Sequence, residues 1–189
     1  MSEPTRRSFL IASALGVSAG WVASNWPGIF EARAFAARAA AGHAVEFSFF
    51  SKEQAAEIDA VAAQIVPTDD TPGAHEARCV YFIDRALTTF LSENQPVYTE
   101  GLEELAAKTK EMFPGAERFS ALTPQQQVQL LTAMEHTRFF AEVRRDTIMG
   151  MFAPPSHGGN CDEAGWKLIG FEDTLNFTPP FGFYDTRGE

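Results

Sequence analysis

Between Ser51 and Phe152 the apolar residues of this chain return every three or four positions, in blocks closed by proline or glycine, and that period confines the fold to packed helices. Almost no stretch shows the strict alternation of a half-buried strand. Ser51 can cap SKEQAAEIDAVAAQIVP, in which Ala55, Ile58, Val61, Ala62 and Ile65 fall on one face until Pro67 ends the helix. A second helix is expected from about His75 to Ser92, burying Val80, Ile83, Leu87, Phe90 and Leu91. A third spans Pro96 to Phe113, with Leu102, Leu105 and Met112 inward and Pro114-Gly115 closing it. Thr123-Pro124-Gln125-Gln126 combines a capping threonine, proline at the first helical position and a glutamine that answers the cap. The fourth helix that it opens buries Val128, Leu131 and Met134, and a fifth runs from about Thr137 to Phe152.

After Pro154-Pro155 the composition turns to Gly, Pro, Asn and aromatics without a period, which reads as an irregular arm. The expected fold is therefore mainly α: one helical domain of about five helices over residues 49–153, with a linker at 37–48 and a long C-terminal arm at 154–189. In PPFGFYD the arm places Phe181, Phe183 and Tyr184 on a segment with few backbone partners of its own. Two roles are open to it, a protein contact or completion of the core.

The front of the chain, TRRSFLIASALGVSAGW, sets Arg6 and Arg7 before Phe9-Leu10 and a short, weakly apolar run, the layout of a twin-arginine export signal. A bilayer-spanning helix needs about 20 predominantly apolar residues, and Phe9 to Val22 is shorter. Ala34-Phe35-Ala36 supplies small residues for cleavage after Ala36, with Ala37-Arg38-Ala39 as a second site and an uncleaved anchor as the other reading. The expected location is periplasmic, after export as a folded protein. Membrane contact is expected only through the signal or a complex.

Removing residues 1–36 takes three arginines and two glutamates, leaving twelve basic and twenty-three acidic side chains. Such a surface repels nucleic acid, whose binding rests on Lys and Arg neutralising phosphates. Seventeen phenylalanines point to a packed core or a buried contact surface rather than disorder. Cys79 and Cys161 are the two cysteines, and in an oxidising compartment the expectation is one disulfide, with free buried thiols as the alternative.

Motifs that carry chemistry are scarce. The sequence has no CxxCH for haem, no GxGxxG after a strand, no cysteine cluster and no HExxH. His43, His75, His136 and His157 are scattered, and Glu135-His136 with Glu142 lacks the Glu-x-x-His pairing of bundle metal sites. No catalytic, cofactor-binding or metal-ligating residue is assigned.

Two stretches are more specific. In IVPTDDTPGAHEA, Pro67, Asp69, Pro72 and Gly73 fix a turn between helices, and its aspartates can cap the next one. In FFAEVRRDTIMGMFAPPSHGGNCDEAGWKLIGF, Gly158-Gly159-Asn160 permits unusual backbone angles, and Trp166 and Gly170 follow at fixed places. Together they resemble the gluconate 2-dehydrogenase subunit 3 family, the small or gamma subunits of flavin-dependent sugar and polyol dehydrogenases, over roughly Phe49 to Gly170. The resemblance implies a subunit that carries the twin-arginine signal and holds no cofactor itself. It implies a glucose–methanol–choline type flavoprotein large subunit with FAD, and a multihaem cytochrome c, with haem c, as electron acceptor. The export signal then serves the flavoprotein, loaded with FAD in the cytoplasm and escorted across.

Residues proposed for a docking surface are Arg138 and Arg145, on one face of the fifth helix with Arg144 about 100° from Arg145. His157, Gly158, Gly159, Asn160 and Trp166 of the glycine-rich loop join them, with Phe181, Phe183 and Tyr184 of the arm. The arginines can equally pair with Glu142 and Asp146 on a solvated face. Two other classes stand beside this reading: a stand-alone periplasmic metalloprotein using His157, Glu135 and His136, and a transient export chaperone.

Overall fold

Ser51 opens the first helix as its sequence foretells: the hydroxyl accepts from the Gln54 amide at 3.2 Å, while the Gln54 side chain accepts from the Ser51 amide at 2.9 Å. The computed structural model describes residues 46–174. Within them lie α1 (Lys52–Ile65), α2 (Cys79–Leu87), α3 (Gln95–Met112), α4 (Pro124–Met134), α5 (Arg138–Phe152) and α6 (Ala164–Leu168). No strand occurs among the described residues. Short 3₁₀ turns at Ser92–Asn94, Phe119–Ala121, Pro155–His157 and Cys161–Glu163 join them. The mainly helical single domain expected from the sequence is what the chain forms.

Four of the five expected helices start within a residue of where the sequence places them. Thr123 repeats the reciprocal cap of Ser51, its hydroxyl taking the Gln126 amide at 3.4 Å and the Gln126 side chain taking the Thr123 amide at 3.0 Å. Thr137 caps α5 through the Phe140 amide. The second helix differs: it begins at Cys79 rather than His75, because Arg78 adopts the left-handed conformation (φ 56°) and residues 74–78 form turns instead. The aspartates of the preceding turn do not cap it.

The central helix is α5, which packs chiefly on α2 and also on α1 and α3. Ile58, Val61, Ile83, Leu87, Leu105 and Val143 meet there essentially without exposure, each contributing roughly 1.5–3 kcal/mol through the apolar surface it removes from water. Two predicted core residues are instead on the surface: Phe90 is 58% exposed and Val128 52%. Phe90 lies past the end of α2, where its ring meets that of Phe82 edge-on at 6.2 Å between centroids. Asp84, on the inner face of α2, accepts from the amides of Ser48, Phe49 and Phe50 at 2.8, 3.0 and 2.9 Å, which seats the entering segment on the domain.

The arm departs from expectation in part. Its first portion is ordered by two 3₁₀ turns and the short helix α6, leaving Leu168, Ile169 and Phe171 exposed. Arg6, Arg7, the cleavage sites, Phe181, Phe183 and Tyr184 lie outside the described residues. No helix among the described residues is long and apolar enough to cross a membrane.

Candidate functional site

The two sequence stretches singled out for their specificity meet in space. In the first, the Asp69 side chain accepts from the Thr71 amide at 2.8 Å, closing a local turn. Glu76 then accepts from the Gly73 amide at 3.0 Å and the Thr68 hydroxyl at 2.5 Å. The Ala74 amide returns to the Val66 carbonyl at 2.9 Å, so the loop ends where it began. His75 Nδ1 lies 2.5 Å from Asp59 Oδ2 on α1, and that hydrogen bond, with the carboxylate's charge, raises the imidazole's pKa above its ordinary value.

The second stretch closes the C-terminal end of α5, where helical carbonyls lack intrahelical donors. Asn160, fully buried and left-handed at φ 48°, donates from Nδ2 to the Ala153 carbonyl at 3.0 Å and accepts the Gly165 amide on Oδ1 at 2.8 Å. Trp166 Nε1 donates to the Phe152 carbonyl at 2.9 Å. Gly159 and Gly165 run so close to α5 that a Cβ on either would overlap a backbone carbonyl oxygen, that of Gly150 or Met151. The Cys161 amide donates to the Ala77 carbonyl at 3.0 Å, which ties this loop to the first stretch. Around the junction Ala62, Ala74, Ala77, Cys79, Met151 and Ala164 make a second small core. Its small side chains are what allow the loops to lie against α1 and α5.

This arrangement explains the G-G-N…G-W pattern through helix capping and close backbone approach. Gly159, Asn160 and Trp166 are buried, Gly158 ends a 3₁₀ turn at φ 103°, and His157 is exposed. The disulfide expected between Cys79 and Cys161 is not formed; both cysteines are free. Burial, reinforced by Asp59, pushes the Cys79 thiol up to about 12, and burial is also the main cause that raises Cys161. Neither favours the thiolate that nucleophilic or redox chemistry needs.

Arg138 and Arg145 share one face, as their spacing requires, and both turn to Glu142, at 3.9 and 2.5 Å. Arg145 also reaches Asp146 at 2.8 Å. Asp146 is fully buried and accepts from the Tyr98 hydroxyl at 2.8 Å, joining α5 to α3. Burial raises the Asp146 carboxyl, opposed by the hydrogen bonds from Tyr98 and Arg145. Tyr98 is held well above the ordinary phenol range, first by burial and then by the charge of Asp146. Asn94 donates to Glu142 at 3.1 Å and completes the network. Sequence reasoning passed over Tyr98 and Asp84; an acidic residue inside the apolar run VYFIDRAL was the available signal for the latter.

Arg144 points elsewhere. It lines a groove of about 290 Å³ between α1, α4 and α5, with Gln64, Ile65, Val128, Leu131, Thr132, Glu135 and Phe140. A shallower depression of about 640 Å³ lies over the α3–α4 connection, around Met112 to Glu117. Glu135 and His136 pair with each other at 3.3 Å. Among the described residues no group of three or more His, Cys, Asp and Glu side chains is placed to hold a metal ion.

Residues 52–173 match a family described as gluconate 2-dehydrogenase subunit 3. No curated protein and no solved structure matches the chain.

Proposed function

Since the chain belongs to the gluconate 2-dehydrogenase subunit 3 family, we propose that it is the non-catalytic small subunit of a periplasmic, FAD-dependent sugar or polyol dehydrogenase. The flavin and the sugar pocket sit on a glucose–methanol–choline type large subunit, and a multihaem cytochrome c takes the electrons. The chain's own work is to mature, stabilise and export that flavoprotein. The observation that carries this reading is the family match across nearly all of the helical domain. Arg6-Arg7 ahead of a weakly apolar run supports the export role, because the twin-arginine route passes folded proteins and so suits a partner loaded with its cofactor before export.

The fold supports a scaffold. Its two most distinctive loops spend their polar atoms on closing the end of α5 and on each other, which gives a rigid body on which a partner can be seated. The test is recovery of the chain from the periplasm of its own cells, with an absorption spectrum of what accompanies it, beside an Arg6→Lys/Arg7→Lys variant. A flavin-carrying partner that co-purifies, and that stays in the cytoplasm in the variant, is the expected result. Recovery of the chain alone and without flavin overturns the proposal.

A further inference from the structure

Three arginines crowd one stretch of α5, and the fold uses two of them. Arg138 and Arg145 are neutralised by Glu142, and Arg145 also by Asp146. Arg144, about 100° round the helix from its neighbour, makes no ion pair among the described residues. It borders the groove whose apolar walls are Ile65, Val128, Leu131 and Phe140. The carboxylate of Glu135 is also on the rim, but it lies against His136 Nε2 at 3.3 Å, and the Gln64 amide is spent on Gln127 at 2.7 Å.

Val128 adds an independent sign. On α4 it is 52% exposed, a β-branched residue on an outward position where it gains little burial and is a poorer helix former than the polar residues around it. An exposed apolar wall beside a free guanidinium is complementary to an apolar group carrying a negative charge. The volume, about 290 Å³, lies at the small end of ligand pockets. It suits one large side chain with its flanking backbone and is too small for a dinucleotide.

We propose that this groove is an anchor site for the large subunit, receiving a surface segment that presents an aliphatic or aromatic side chain next to an Asp or Glu. The side chain covers Val128 and Phe140, and the carboxylate takes parallel hydrogen bonds from the Arg144 guanidinium. Once covered, that pair lies in a drier medium, where its attraction is stronger than at an open surface. Anchors of this kind carry a disproportionate share of binding energy. The inference rests on the small-subunit reading and specifies where that subunit holds its partner.

The experiment is recovery of the full chain, tagged at its C terminus, from cells that make the whole complex. Flavin absorbance per mole of chain is measured for the wild type, Arg144→Glu, Val128→Asp, Arg144→Lys and the distant surface control Lys110→Glu. Far-UV circular dichroism and a melting curve accompany each variant. Arg144→Glu and Val128→Asp are expected to lower the flavin recovered at least tenfold with an unchanged fold, Arg144→Lys to lose less, and Lys110→Glu to match the wild type. Equal recovery across the series overturns the groove and leaves the small-subunit reading standing. No flavin with the wild type overturns both. Loss confined to an added Ile169→Asp variant moves the docking to the Leu168–Phe171 surface and overturns the groove. So does recovery of Arg144→Glu to the wild-type level when the chain is ended at Thr174, which assigns the groove to the chain's own last residues.

Discussion

Asn160 donates its side-chain amide to the carbonyl of Ala153 at 3.0 Å, and in doing so finishes a helix whose last turn has no donors left of its own. The same side chain accepts the Gly165 amide, so one buried residue fixes both the end of α5 and the start of α6. Asn160→Ala removes both bonds, leaves a half-buried carbonyl and a buried amide without partners, and puts a Cβ-bearing residue less tolerant than asparagine at φ 48°. Together these cost about 2–4 kcal/mol. Urea unfolding measures it; a change below about 0.5 kcal/mol rejects the capping role.

Gly165→Ala tests the close approach to α5. The new Cβ would overlap the Met151 carbonyl oxygen, a backbone atom that cannot move aside without opening the helix end. A loss of about 3 kcal/mol or more is expected. Gly115→Ala is the comparison, with nothing near the added atom and only its positive φ of 100° to strain, for about 1–2 kcal/mol. Similar melting temperatures for the two variants contradict the packing argument.

Asp84→Ala leaves the amides of Ser48, Phe49 and Phe50 without their acceptor, and Phe50 is buried. The expected cost is about 2–4 kcal/mol. Hydrogen exchange distinguishes release of this segment from general unfolding: the amides of 48–50 lose protection first, while those of α5 keep it. Uniform loss of protection means that Asp84 acts on the whole domain.

His75 and Asp59 predict a pH dependence. The imidazole's pKa is raised in the folded chain above 6.5, so the pair's contribution is fully present below 6.5 and disappears as pH rises through the higher folded value. His75→Gln should therefore lower the melting temperature more at pH 5.5 than at pH 8.5, and added salt should shrink the difference, because the imidazole is largely exposed. A gap of the opposite sign means that the ring is bound in its neutral form.

Much of the helical framework was legible because the signals for it are local. Ser51 and Thr123 each have their answering glutamine three residues on, and the reciprocal caps form as written. Ile58, Val61, Leu102, Leu105, Leu131 and Met134 are buried where the period places them, since one face of a helix must meet the core whatever the tertiary arrangement. The family was legible too, from the two loops whose spacings are specific.

Tertiary structure decided the rest, because it depends on residues far apart in the chain. Period alone left Val128 inside α4, but the width of a buried stripe is set by which neighbours pack against it. Arg78 turns left-handed and delays α2 because residues 74–78 must close on Val66 and receive the Cys161 amide. The five-residue α6 is too short to nucleate on its own; it stands because Asn160, Trp166 and the bare Cα of Gly165 fasten it to the end of α5. The sequence alone settled where α1, α3, α4 and α5 begin and most of the apolar side of each. Which arginine of α5 was left over for another molecule depended on Glu142, Asp146 and Tyr98 arriving together, a meeting of α3 and α5 that only the folded chain brings about.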